Sequence, residues 1–211
     1  KQDASSLLQE VKPSYLEDAI STNDWDSNWF ISFKGGVSSF CGKPIGCEDF
    51  TGRFKPLMNL SAGKWITPKL GLRVAFQGFT FKDCGETMAD SHSSAFQNLH
   101  ADLFFNLADY FHHGITEQPK WDFAPYFGLG LIRNGHTGAK PFAFSYGIFS
   151  RYMLCNRLHL SMEIGNTTTF QNFDGKGVND KLGDHLLQGS IGLDFTIGHV
   201  GWKKIIDVRP Y

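Results

Sequence analysis

The sequence predicts an all-β fold: an eight-stranded antiparallel up-and-down transmembrane β-barrel with short turns at one end. Three observations predict it. First, every stretch between about 28 and 198 that can form a strand alternates large apolar residues with small neutral residues and isolated charges, which gives each strand two unlike faces. Second, the polar face is small. It reads Asn59, Ser61, Gly63 in one strand, Ala143, Ser145, Gly147, Arg151 in another and Gln188, Ser190, Gly192, Asp194, Thr196 in the last. A soluble barrel would turn this face to water and carry Lys and Glu freely. Small residues with few charges suit a narrow lumen, which leaves the apolar face to lipid. A closed barrel also satisfies every backbone hydrogen bond in hydrocarbon. Third, the aromatic residues sort by type toward the two ends.

The strands run near 28–37, 53–65, 69–82, 95–109, 121–133, 141–153, 157–170 and 184–198. Each reaches the roughly 9–11 residues that a tilted crossing needs. In the third, Leu70, Leu72, Val74 and Phe76 oppose Gly71, Arg73, Ala75 and Gln77. In the fourth, Leu99, Ala101, Leu103, Phe105 and Leu107 oppose Asn98, His100, Asp102 and Asn106; in the seventh, Leu158, Leu160, Met162 and Ile164 oppose His159, Ser161, Glu163 and Gly165. Pro56 and Pro125 interrupt strands that have no free edge, so each is expected at a bulge or a strand end.

Long connectors at 38–52, 83–94 and 171–183 and a shorter one at 134–140 alternate with tighter links at Thr67-Pro68, 110–120 and Leu154-Cys155-Asn156. This alternation puts both termini on one side, expected to be the periplasm of a Gram-negative outer membrane. Trp25, Trp29, Trp65, Trp121 and Trp202 all fall toward that side. Phe50, Phe54, Phe81, Phe96, Phe142 and Phe170 fall toward the other. Indoles favour the headgroup layer, so Trp29, Trp65, Trp121 and Trp202 are expected to form an interface girdle against outer-membrane lipid. The organisation expected is a periplasmic segment at 1–27, the barrel at 28–199 and a tail or linker start at 200–211. Leu7, Leu8 and Val11, and then Leu16, Ala19 and Ile20, suit short helix faces on an ordered segment; a flexible tail is the alternative.

The composition excludes several classes. No apolar run approaches 18 residues, so no transmembrane helix is expected. The opening Lys1-Gln2-Asp3 shows no signal peptide and is consistent with a processed chain. The net charge of −1 and the scattered basic residues give no reason to expect nucleic acid. Cys155 falls at the opposite end from Cys41, Cys47 and Cys84, so full pairing is not expected. The turn-forming residues between Cys41 and Cys47 permit a local disulfide; free thiols or a Cys84 partner are the alternatives.

The lumen face gathers Lys34, Arg73, His100, Asp102, Arg151, Glu163 and Asp194, with Asn59, Tyr126 and Gln188 between them. Eight strands enclose an interior just wide enough for side chains to fill. Charges there must be paired, and adjacent strands suggest Arg73 with Asp102 and Arg151 with Glu163. A packed polar plug and a gated pore or proteolytic site are the competing readings. No catalytic constellation supports the second: His112-His113 sits in a turn, His92 and His136 lack partners, and Asp174, Asp180 and Asp184 lack calcium-loop spacing. No cofactor or metal is expected.

Three stretches carry a resemblance. Trp29-Phe30-Ile31-Ser32-Phe33-Lys34-Gly35-Gly36 opens the barrel, Ala124-Pro125-Tyr126-Phe127-Gly128-Leu129-Gly130-Leu131 lies in its fifth strand, and Gly189-Ser190-Ile191-Gly192-Leu193-Asp194-Phe195-Thr196-Ile197-Gly198 closes it. Together they resemble the OmpA-like eight-stranded outer-membrane barrels of Bacteroidota over about 28–204. Such barrels commonly continue into a peptidoglycan-binding domain, and Asp207-Val208-Arg209-Pro210-Tyr211 looks like the start of a linker to one. Any cell-wall contact is thus implied only through a domain beyond this chain. The expected role is a non-enzymatic structural or assembly component, possible partners being other outer-membrane proteins. A small-solute channel and a soluble lipocalin-like carrier are the alternatives.

Overall fold

The computed structural model describes residues 14–21, 25–41, 54–83, 92–108, 120–135, 138, 140–170 and 185–207. A short strand, β1 (Ser14–Ser21), precedes the barrel. The barrel strands are β2 (Trp29–Cys41), β3 (Lys55–Trp65), β4 (Leu70–Asp83), β5 (His92–Phe105), β6 (Trp121–Asn134), β7 (Phe142–Cys155), β8 (Leu158–Thr169) and β9 (His185–Ile197). A last strand, β10 (Lys203–Asp207), follows. Strands β2 to β9 pair in sequence order, every neighbour antiparallel, and β9 returns to β2 from Trp29↔Ile197 to Cys41↔His185. The barrel is closed and has no sheet edge to leave unpaired in hydrocarbon.

The alternation read from the sequence is the alternation of the wall. Along β3, Leu57, Asn59, Ser61, Gly63 and Trp65 are buried, while Met58, Leu60 and Ala62 are exposed. Among the described residues the exposed face of the strands is mainly apolar, including Phe33, Val74, Phe76, Leu99, Leu129, Ile164 and Phe195, with Gln97 and Arg133 exposed near the loop end. Polar residues occupy the inside, the inverse of a soluble barrel, so the expectation of a soluble carrier is set aside.

Both prolines sit in unbroken register, without a bulge. Backbone groups of successive strand residues point to alternate neighbours. On β6, Ile132 N–H donates to the carbonyl of Pro141 and Gly135 N–H to that of Ala95, so odd-numbered residues point to β5. Pro125 therefore points to β5, whose ladder with β6 ends at Phe104↔Tyr126. Pro56 points to β4, whose ladder with β3 begins at Leu57↔Phe79. The neighbouring strand runs on past each proline, to Asp83 in β4 and Phe105 in β5, but the ladder on that side stops beside the ring, which has no N–H to donate.

The flanking segments correct the sequence expectation. The stretch holding Leu16, Ala19 and Ile20 is strand β1, paired antiparallel with β10, and not a helix. Barrel closure brings the two chain ends to one place, so each offers the other a partner. Asn28 fastens this junction from a left-handed backbone (φ 59°). Its side-chain amide donates to the carbonyl of Gly201 (3.1 Å), and Gly201 N–H donates back to Asn28 Oδ1 (2.9 Å). At the other end β2 continues to Cys41 and β5 begins at His92. Cys155 is exposed with a free thiol. Cys47 and Cys84, and with them the expected Cys41–Cys47 bridge, lie outside the described residues, as do His112, His113, His136 and the 171–184 loop.

Candidate functional site: the filled lumen

The interior is built in zones. Toward the end bearing the termini, Phe30, Trp65, Phe104, Ala124, Tyr126 and Phe149 form one apolar cluster, with Trp202 packed against it. Toward the loops, Leu57, Phe96, Ile132, Ala143 and Leu186 form another. The charged residues lie between them.

Arg73 is the centre. Its Nε and Nη2 donate to Asp102 Oδ2 (2.8 and 2.6 Å), the residue directly opposite it on β5. Its Nη1 and Nη2 also reach across the lumen to Glu163 on β8 (2.7 and 2.9 Å). Lys34 Nζ, from β2, donates to Glu163 Oε2 at 2.5 Å, and His100 Nδ1 lies 2.6 Å from Asp102 Oδ1. All five side chains are fully enclosed. Two cations thus face two carboxylates across the barrel. The guanidinium also stacks on aromatic faces, 4.7 Å from the Phe104 centroid and 5.0 Å from Tyr126, which suits a buried planar cation.

Geometry demands small neighbours for these large groups. A Cβ on Gly128 would strike the carboxylate of Asp102, and one on Gly165 would strike the Tyr126 hydroxyl. Asp194 accepts from the hydroxyls of Ser32 and Ser161, its own cross-strand neighbourhood. Asn98 Nδ2 donates to Gln77 Oε1 (3.1 Å), while the amides of Asn59 and Gln188 make no hydrogen bond to the protein.

The structure changes one of the two expected pairings and several placements. Arg151 meets Asp122, not Glu163: Arg151 Nε donates to Asp122 Oδ2 at 2.8 Å, and Asn106 Nδ2 to Asp122 Oδ1 at 3.1 Å. The reason is register, because Arg151 faces Asp122 directly on β6, whereas Glu163 faces Phe149. Asp122 was not among the expected lumen residues; its parity with Ala124 and Tyr126 is the signal that places it inside. Trp65 does not join the outer girdle. At 6% exposure it packs inside, with the Arg151 guanidinium 5.1 Å from its ring. Trp202 likewise packs on the inner cluster, and Phe96 is buried in the lumen. Trp29 and Trp121 stand on the outer wall, Trp29 edge-to-face with Trp25 and Trp121 with Tyr152. Among the described residues, no three His, Cys, Asp or Glu side chains are grouped to hold a metal ion.

Comparison with known proteins accords with this architecture. No family model matches the chain. It is 23% identical over 207 residues to outer membrane protein 40 of Porphyromonas gingivalis, covering 90% of this chain and 52% of that protein. It is 22% identical over 211 residues to outer membrane protein 41 of the same organism, covering 89% of this chain and 52% of that protein. The chain thus spans about half the length of the curated relatives it matches. Among solved structures, Neisserial surface protein A superposes with a TM-score of 0.55 at 12% identity, over 85% of this chain and all of that one. With its closed lipid-facing wall and polar interior, the chain has the fold of the eight-stranded OmpA-like outer-membrane barrels and is similar to outer-membrane proteins of Bacteroidota.

Proposed function

We propose that the barrel is a closed, non-enzymatic membrane anchor that serves as a structural or assembly component of the outer membrane. The observation that carries this reading is the position of Arg73, fully buried at the centre and bonded to opposite walls through Asp102 and Glu163. An ion pair strung across the lumen occupies the path that a solute would take. The apolar clusters on either side add to the obstruction. The tight turns at the terminal end support termini on the periplasmic side. The relatives extend well beyond the matched region, which supports a role as the membrane part of a longer protein, reaching other outer-membrane proteins or the cell wall through its further residues.

Planar-bilayer recording tests the closed state. The purified barrel should leave the baseline current unchanged at moderate voltage; reproducible unitary steps would contradict it. A small-solute channel is the second reading, and the unpaired amides of Asn59 and Gln188 favour it by offering a neutral polar lining.

A further inference from the structure

The outer wall carries a feature that the filled lumen does not explain. A concavity of about 830 Å³ crosses the lipid-facing side of β3 to β6. The register shows how it arises. Outward residues that face each other across the strands form rows: Lys64, Leu72, Leu103 and Phe127 make one, and Leu60, Phe76, Leu99 and Leu131 make another. Between them runs Ala62, Val74, Ala101 and Leu129, so the concavity is a shallow channel that dips over the two alanines, with Val74 and Leu129 rising beside them and Leu72, Leu103 and Phe127 along one flank.

The end of this channel nearest the termini is built, not open. Lys64 Nζ donates to the backbone carbonyls of Trp25 (2.9 Å) and Ser27 (2.6 Å). The ammonium lies 5.7 Å from the Trp25 ring and 5.4 Å from the Trp29 ring. Those indoles stand edge-to-face, with Trp25 pushed out to 77% exposure beyond the barrel wall. A cation and two indoles at the edge of an apolar wall mark the depth of the headgroups. The Lys64 ammonium, held at that depth by the two carbonyls, is the group that would meet a headgroup phosphate.

We propose that this channel is a binding site for one phospholipid with an anionic headgroup, from the leaflet on the side of the chain termini. An acyl chain lies over Ala62 and Ala101, and the phosphate region sits by Lys64 beneath the Trp25–Trp29 ledge. The proposal rests on the membrane wall alone, not on whether the lumen conducts.

Native mass spectrometry of the folded protein in detergent, titrated separately with POPG and POPC, tests it. The first POPG should bind distinctly tighter than later ones. Filling the channel with Ala62→Leu and Ala101→Leu should abolish that first strong event. Lys64→Gln should retain binding but weaken POPG about fivefold, with little change for POPC. The heat-dependent shift in gel mobility checks that each variant folds, and Ala101→Leu alone carries the test if the double variant does not. Equal retention by the wild-type and filled chains would overturn the proposal, as would a POPG preference that survives Lys64→Gln. A dimer that disappears on filling would give the channel to a second copy and overturn it as well.

Discussion

At the scale of single residues, Arg73 joins two walls, and its removal is informative because of what stays behind. Arg73→Leu leaves Asp102 and Glu163 buried with only His100 and Lys34 to meet them. Breaking one side of a buried pair costs about 3–5 kcal/mol. Arg73→Leu should therefore destabilise the barrel more than Arg73→Leu combined with Asp102→Asn. Urea unfolding in lipid, run as a double-mutant cycle, measures the coupling. A value of about 0–1 kcal/mol, typical of exposed pairs, would mean that this face meets water.

Membership of this network was legible in the sequence, because Lys34, His100 and Asp102 share strand parity with the small residues around them. Partner choice was legible only where register is direct, as at Arg73↔Asp102. The contact from Arg73 to Glu163 spans the lumen and leaves no local trace. Trp65 shows the opposite failure. It shares parity with Asn59, Ser61 and Gly63, yet residue type argued for the membrane interface; parity prevails because a register slip would turn the whole strand.

At the scale of elements, neighbouring strands trade volume across the lumen. Tyr126 projects from β6 past β7 to β8, and Gly147 and Gly165 make its room. Phe104, 5.7 Å away, and the Arg73 guanidinium hold the ring from the other side. Gly165→Ala should thus cost about 1–3 kcal/mol through overpacking. The penalty should shrink in a Tyr126→Phe background, where the hydroxyl is gone. Equal penalties in the two backgrounds, measured by urea unfolding in lipid, would show that the ring is free to move aside. Strand positions were largely legible because period two is strong over eight segments. The β1–β10 pairing was not, since it depends on closure bringing distant chain ends together and not on any local pattern.

At the scale of the whole molecule, the central claim is the inside-out wall: apolar residues to lipid, charges to the interior. Tryptophan fluorescence with phospholipids brominated along their acyl chains reads it most directly. Two single-tryptophan chains suffice, one keeping only Trp121 on the outer wall and one keeping only Trp65 inside, with the other tryptophans changed to phenylalanine. In brominated bilayers, Trp121 should be strongly quenched relative to the same chain in unbrominated lipid, and Trp65 should be nearly unaffected. Quenching of Trp65 as strong as that of Trp121, or of neither, would contradict the account.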